Sequence, residues 1–136
     1  METPEWKVYL TDGDRYLNTA VNGFRNRPAV FTPEIVYNLV GMAIEKHVMG
    51  VMLHDKKMPD NHTLTDLVHG LEDLCDVDRD LYDRILNMDR FQEICSLAAY
   101  HREPPAPDDV PEFLDVGTRV QALVNNRLPW NPAPPN

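Results

Sequence analysis

Five histidines, two cysteines and a run of aspartates are the side chains of this 136-residue chain best suited to chemistry, and their spacing decides how much they can do. His47 and His54 stand seven apart, as do His62 and His69. On a helix that spacing shares a face but separates the rings by about 10 Å, too far to ligate one ion. The i, i+3 or i+4 pairs of helical metal sites, His-x-x-x-His or Glu-x-x-His, do not occur. Glu72 and Cys75 stand three apart with no second pair beside them, so neither a metal nor a cofactor is expected. The acidic run Glu72, Asp73, Asp76, Asp78, Asp80, Asp83 lacks the glycine and closing glutamate of a calcium loop. It reads as a solvated link with helix-capping aspartates. The sequence holds no Gly-rich phosphate loop, Gly-x-Ser-x-Gly elbow or Cys-x-x-Cys.

Two constellations remain as candidate ligand contacts. Glu45 and Lys46 interrupt an otherwise apolar segment at its middle, and Glu45 shares a narrow polar stripe with Glu34, Asn38 and Gly41. A carboxylate there is either a bundle-edge group in water or a buried group paired with an arginine, walling a cleft. Tyr100, His101 and Arg102 close a helical segment just before Glu103 and two prolines. Cations at a helix end favour its dipole and cap its carbonyls; the same trio would also suit a phosphate with a stacked base.

The elements that must position these groups are helices. Thr32 to Lys57 is apolar on almost every side, starts with a capping Thr32, Pro33 at the first helical position and Glu34 in the first turn, and is expected to be a buried spine. Its apolar positions recur as Ile35, Leu39, Met42, Met49, Leu53 on one side and Val36, Val40, Ala43, Ile44, Val51 on another. Four more helices follow from periodicity and proline punctuation: about Asp14 to Asn26; Leu64 to Leu74 behind Thr63 and Asp66; Arg79 to Tyr100, bent near Asn87 to Arg90, with Cys95 and Ala99 inward; and one after Asp109 that buries Phe113, Val116, Val120, Leu123 and Val124. The fold class is therefore all-α, an antiparallel up-down bundle of four long helices plus a shorter fifth, in one domain over 1–128. Residues 129–136 form a Pro-rich tail. Gly23, Gly41, Gly50, Gly70 and Gly117 fall inside these helices at about 1 kcal/mol each, which points to close helix contacts or to a cleft kept open.

The net charge of −9 disfavours generic duplex DNA, which repels an acidic chain at long range. Arginines outnumber lysines nine to four, which leaves room for a local phosphate pocket. The polar start METPEWKVYL lacks the apolar core of a secretory signal, and no segment is apolar enough to span a membrane. A cytoplasmic protein with reduced Cys75 and Cys95 is expected.

The segment AIEKHVMGVML (Ala43–Leu53), followed after a short loop by HTLTDLVHGLEDL (His62–Leu74), resembles the HEPN family (higher eukaryotes and prokaryotes nucleotide-binding). The later ILNMDRFQ and AAYHREPP resemble that family's fourth-helix end, and the likeness spans Tyr16 to Leu128. It implies an antiparallel bundle, frequently a homodimer, in a family that includes RNases of toxin and defence systems and partners of small nucleotidyltransferases. The RNase branch carries an arginine, then four to six residues, then a histidine. Here no arginine stands five to seven residues before any of the five histidines; Lys57 before His62 has the spacing but the wrong residue. The resemblance thus implies a non-catalytic member that binds a nucleotide or RNA-type ligand, through Glu45, Lys46, Tyr100, His101 and Arg102, or that partners a nucleotidyltransferase-like protein. The alternatives are a ligand-free interaction or dimerisation module, and a divergent RNase using His101 with Glu103.

Overall fold

A computed structural model describes residues 3–58, 61–91 and 104–128, and all the regular structure among them is helical. The helices are α1 (Glu5–Asn26), α2 (Pro33–His54), α3 (Leu64–Glu72), α4 (Arg79–Asp89) and α5 (Val110–Arg127), with a 3₁₀ turn at Pro107–Asp109 leading into α5. The all-helical bundle expected from periodicity is the observed architecture. Residues 92–103, which include Cys95, Ala99 and the Tyr100-His101-Arg102 trio, lie outside the described residues, as does the 129–136 tail.

Local chemistry starts three helices as expected. The Thr32 hydroxyl accepts from the Ile35 N–H at 3.3 Å, Thr63 from Asp66 N–H at 3.1 Å, and the Asp78 carboxylate from Leu81 N–H at 2.9 Å. The first helix differs: it begins at Glu5, behind Pro4, rather than at Asp14. Gly13 lies inside this longer helix, where its missing side chain lets the His47 ring approach.

Contact pairs give the directions. Leu10 meets Gly50 and Gly13 meets His47, so α1 and α2 run antiparallel. Asp14 pairs with Gln121 and Leu17 with Gly117, so α5 opposes α1, and Val40 against Gly117 with Asp55 bound to Arg127 sets α5 alongside α2 in the same sense. Thr65 to Asp89 and His69 to Tyr82 make α3 and α4 antiparallel.

The core runs down α2. Val36, Val40, Ala43 and Val51 are completely buried, and Leu10, Leu64, Leu71, Val110, Val116 and Val120 close around them. One expectation fails here. Ile35 and Met42, expected inward, are each 41% exposed, because α1, α3 and α5 cover α2 on its other sides and leave this strip open. At the base of the core Tyr37, Phe91 and Phe113 meet edge-to-face, with centroids 5.1 to 5.4 Å apart.

The acidic run does more than cap. Arg119 of α5 binds Asp80 at 2.8 Å and Asp78 at 3.0 Å, and Arg84 of α4 binds Asp115 at 2.8 Å, so charge pairs stitch α4 to α5. The hydrogen bond from Arg119 holds the Asp80 carboxyl below the ordinary carboxylate range, with Arg84 adding to it, while Asp80 raises the Arg119 guanidinium. A carboxyl with a lowered folded-state pKa stabilises the fold above its unfolded value and loses that contribution as pH falls through the folded value. The melting temperature should therefore drop more steeply below about pH 4 in the native protein than in Arg119→Ala. Parallel pH–melting curves would contradict this.

Candidate functional site

Three features bear on function: the outward face of α2, a buried polar cluster between α1, α2 and α5, and a groove along α1.

On α2, the capped start and the apolar inner faces fix which side looks out, and Glu34, Ile35, Asn38, Gly41, Met42, Glu45 and Lys46 fall there. The Glu45 side chain is 34% exposed, and among the described residues its charged neighbour is His62 of the α2–α3 link, with Nδ1 3.6 Å from Oε1. Lys46 turns to α1, its Nζ 5.0 Å above the Tyr9 ring. Gly41 is the centre of this face, and a Cβ built on it would meet nothing within 4 Å. At Gly13, Gly23, Gly50, Gly70 and Gly117 a neighbouring side chain fills that space at 3.0 Å or less. Close packing explains those five, and it does not explain Gly41.

The buried cluster was not singled out by sequence reasoning. Asp14, 7% exposed, accepts at one oxygen, Oδ1, from the Nε2–H of His47 at 2.9 Å and from the Gln121 amide at 2.7 Å. Accepting there fixes Nε2 as the donating nitrogen of the ring. His47 is fully buried, its ring laid on Gly13, and its Nδ1 has no hydrogen-bond partner among the described residues. The signal was present: Asp14 stands between Leu10 and Leu17 on the inward stripe of α1, a polar residue where the period calls for an apolar one. His47 and Asp14 are buried and Gln121 is half-buried, so the cluster's evident work is to orient α1, α2 and α5.

The groove, of about 560 Å³, follows the outer face of α1 and is lined by Arg15, Asn18, Asn22, Asn26, Arg27 and Phe31, among others. Phe31 reaches it from the α1–α2 link because Gly23 admits its ring; a Cβ there would sit 2.3 Å from Cε1. Arg15 is 78% exposed and only loosely engaged by Asp12, at 4.0 Å. Three asparagines at fourfold spacing mark this face in the sequence, a pattern that hydrophobic periodicity passes over.

Among the described residues no group of three or more His, Cys, Asp or Glu side chains could hold a metal ion, and no helix is long and apolar enough to cross a membrane.

No protein-family model matches the sequence, and no curated protein matches it. Solved structures do. TT1696 from Thermus thermophilus is similar over 93% of this chain and 100% of its own, with a TM-score of 0.71 at 19% identity. ST0689, an archaeal HEPN homologue, is similar over 91% of this chain and 98% of its own, with a TM-score of 0.65 at 16% identity. The fold is HEPN-like. At these identities the likeness is one of architecture, so the roles of residues in the HEPN-like bundle rest on its own geometry. The structure places Glu45 and Lys46 side by side on the α2 edge and engages them with His62 and Tyr9; their expected companions at 100–102 fall outside the described residues.

Proposed function

We propose that this HEPN-like bundle works by binding rather than by cleaving RNA, and that the outward face of α2 around Gly41 meets a protein partner, either a nucleotidyltransferase-like protein or a second copy of the chain. Gly41 is the observation that carries the reading. A glycine in a helix interior costs about 1 kcal/mol relative to alanine, and here nothing in the described chain uses the space it leaves. Bare backbone between Ile35 and Met42, each 41% exposed, suits the close approach of another helix. Glu45 and Lys46 border that face and would set its register by charge.

Gly41→Ala should stabilise the isolated protein by about 0.5–1 kcal/mol, because the helix gains propensity without a clash. Met42→Glu should abolish self-association or capture of a co-expressed nucleotidyltransferase-like protein while leaving the fold intact. Light scattering and concentration-dependent melting measure the first, co-purification the second. A strictly monomeric protein with a concentration-independent melting temperature, and no complex with such a partner, would sink the proposal.

A second reading keeps a nucleotide or RNA-type ligand at the same edge, held by Glu45 and Lys46; the companions expected from the sequence, Tyr100, His101 and Arg102, lie outside the described residues. Lys46 held over Tyr9 favours it, since a cation beside an aromatic ring suits a phosphate next to a stacked base. It requires a thermal shift with millimolar nucleotide that Lys46→Ala removes.

A further inference from the structure

The α1 groove differs in chemistry from the α2 face and shares no lining residue with it. Asn18, Asn22 and Asn26 recur every four residues, so their carboxamides stand in a row about 6 Å apart along the helix. None of the three is hydrogen-bonded among the described residues, although each offers a paired donor and acceptor. Asparagine is a poor helix former, so three of them in one row at the middle and end of α1 weaken the helix with no side-chain hydrogen bond among the described residues in return.

A carboxamide with a free donor and acceptor matches the N–H and C=O that one residue of an extended peptide presents to one side. Such residues recur at every second position, at about 6.6 Å for a rise near 3.3 Å per residue. Over the row, from Asn18 to Asn26, the helix advances about 12 Å against about 13 Å for four extended residues. That difference lies within the reach of side-chain rotation. Arg15 and Arg27 flank the row about 18 Å apart, the span of five or six extended residues. Both are cationic, and the side chains that line the groove include no carboxylate. Phe31 offers one apolar seat near the Arg27 end.

We infer that this groove binds an extended acidic peptide of about six residues, its backbone clamped by the Asn18–Asn22–Asn26 row and its carboxylates held by Arg15 and Arg27. The inference is independent of the α2 face. Charge complementarity selects the occupant: the local cations sit on a chain whose net charge of −9 repels a polyphosphate backbone more than a peptide bearing two carboxylates.

The test is fluorescence anisotropy on the full chain with a labelled glutamate–threonine alternating octapeptide, a lysine–threonine octapeptide and an adenosine RNA octamer. The glutamate peptide should bind saturably and more weakly at high salt, and the lysine peptide should not. The triple variant Asn18→Ala, Asn22→Ala, Asn26→Ala should bind at least tenfold more weakly while melting no lower than the native protein, since alanine is the better helix former. Arg15→Glu with Arg27→Glu should remove binding as well. The inference is overturned if the glutamate peptide does not bind, if the triple variant binds it as the native chain does, or if the RNA octamer binds more tightly at the same residues.

Discussion

Phe113→Ala will lower the stability of this protein by about 3–5 kcal/mol, the largest effect expected from any single truncation in the bundle. Phe113 is 1% exposed and meets two rings edge-to-face, Tyr37 at 5.1 Å and Phe91 at 5.4 Å. Removing the ring opens a cavity where α2, α5 and the end of α4 converge, and also forfeits both ring–ring contacts. The surroundings cannot readily collapse into the gap. Tyr37 is tied by its hydroxyl, which donates to the Met88 carbonyl at 2.8 Å, and that bond fixes the ring against α4. Chemical denaturation would show a lower midpoint with an unchanged slope. A loss under about 1 kcal/mol would mean that the aromatic trio is not packed as described.

Asp14→Ala is the second large effect, a loss of about 3 kcal/mol. The change removes the acceptor that His47 Nε2–H and the Gln121 amide share, and His47 is fully buried and cannot turn to water. The cost comes chiefly from stranding the imidazole N–H, which gives a distinctive expectation for the pair. Replacing both Asp14 and His47 by leucine should recover most of the loss, because the fully buried imidazole donor is then gone and only the half-buried Gln121 amide loses its acceptor. A double-mutant cycle would measure the coupling. Additive effects, with an interaction energy below about 0.5 kcal/mol, would show that the cluster is not the unit described.

Periodicity and punctuation made the helices legible, because burying an apolar stripe and starting a helix are local acts. Thr32, Thr63 and Asp78 each cap from within three residues, and the stripe of Leu64, Leu67, Val68 and Leu71 reads as buried and is buried. The start of α1 was less legible, since the packing that holds its first turns, with Leu10 against Gly50 and the His47 ring against Gly13, is made with α2 and not within α1. The candidate site divides in the same way. Glu45 and Lys46 could be seen as interruptions in an apolar helix, but their partners His62 and Tyr9 come from other elements. The Asn row was visible as residue spacing and carried no meaning before its face was known to be open.

The sequence by itself determined that this chain is an all-helical bundle built on α2, because the 3.6-residue period, the caps and the prolines act within a few residues of one another. It also carried the HEPN resemblance that the solved structures bear out at the level of fold. Only the tertiary structure decided which side of α2 stays open, that Asp14, His47 and Gln121 meet, and that Arg15 and Arg27 flank three free carboxamides. Those facts depend on residues up to 107 positions apart in the chain, and no local pattern encodes the rotation of one helix against another.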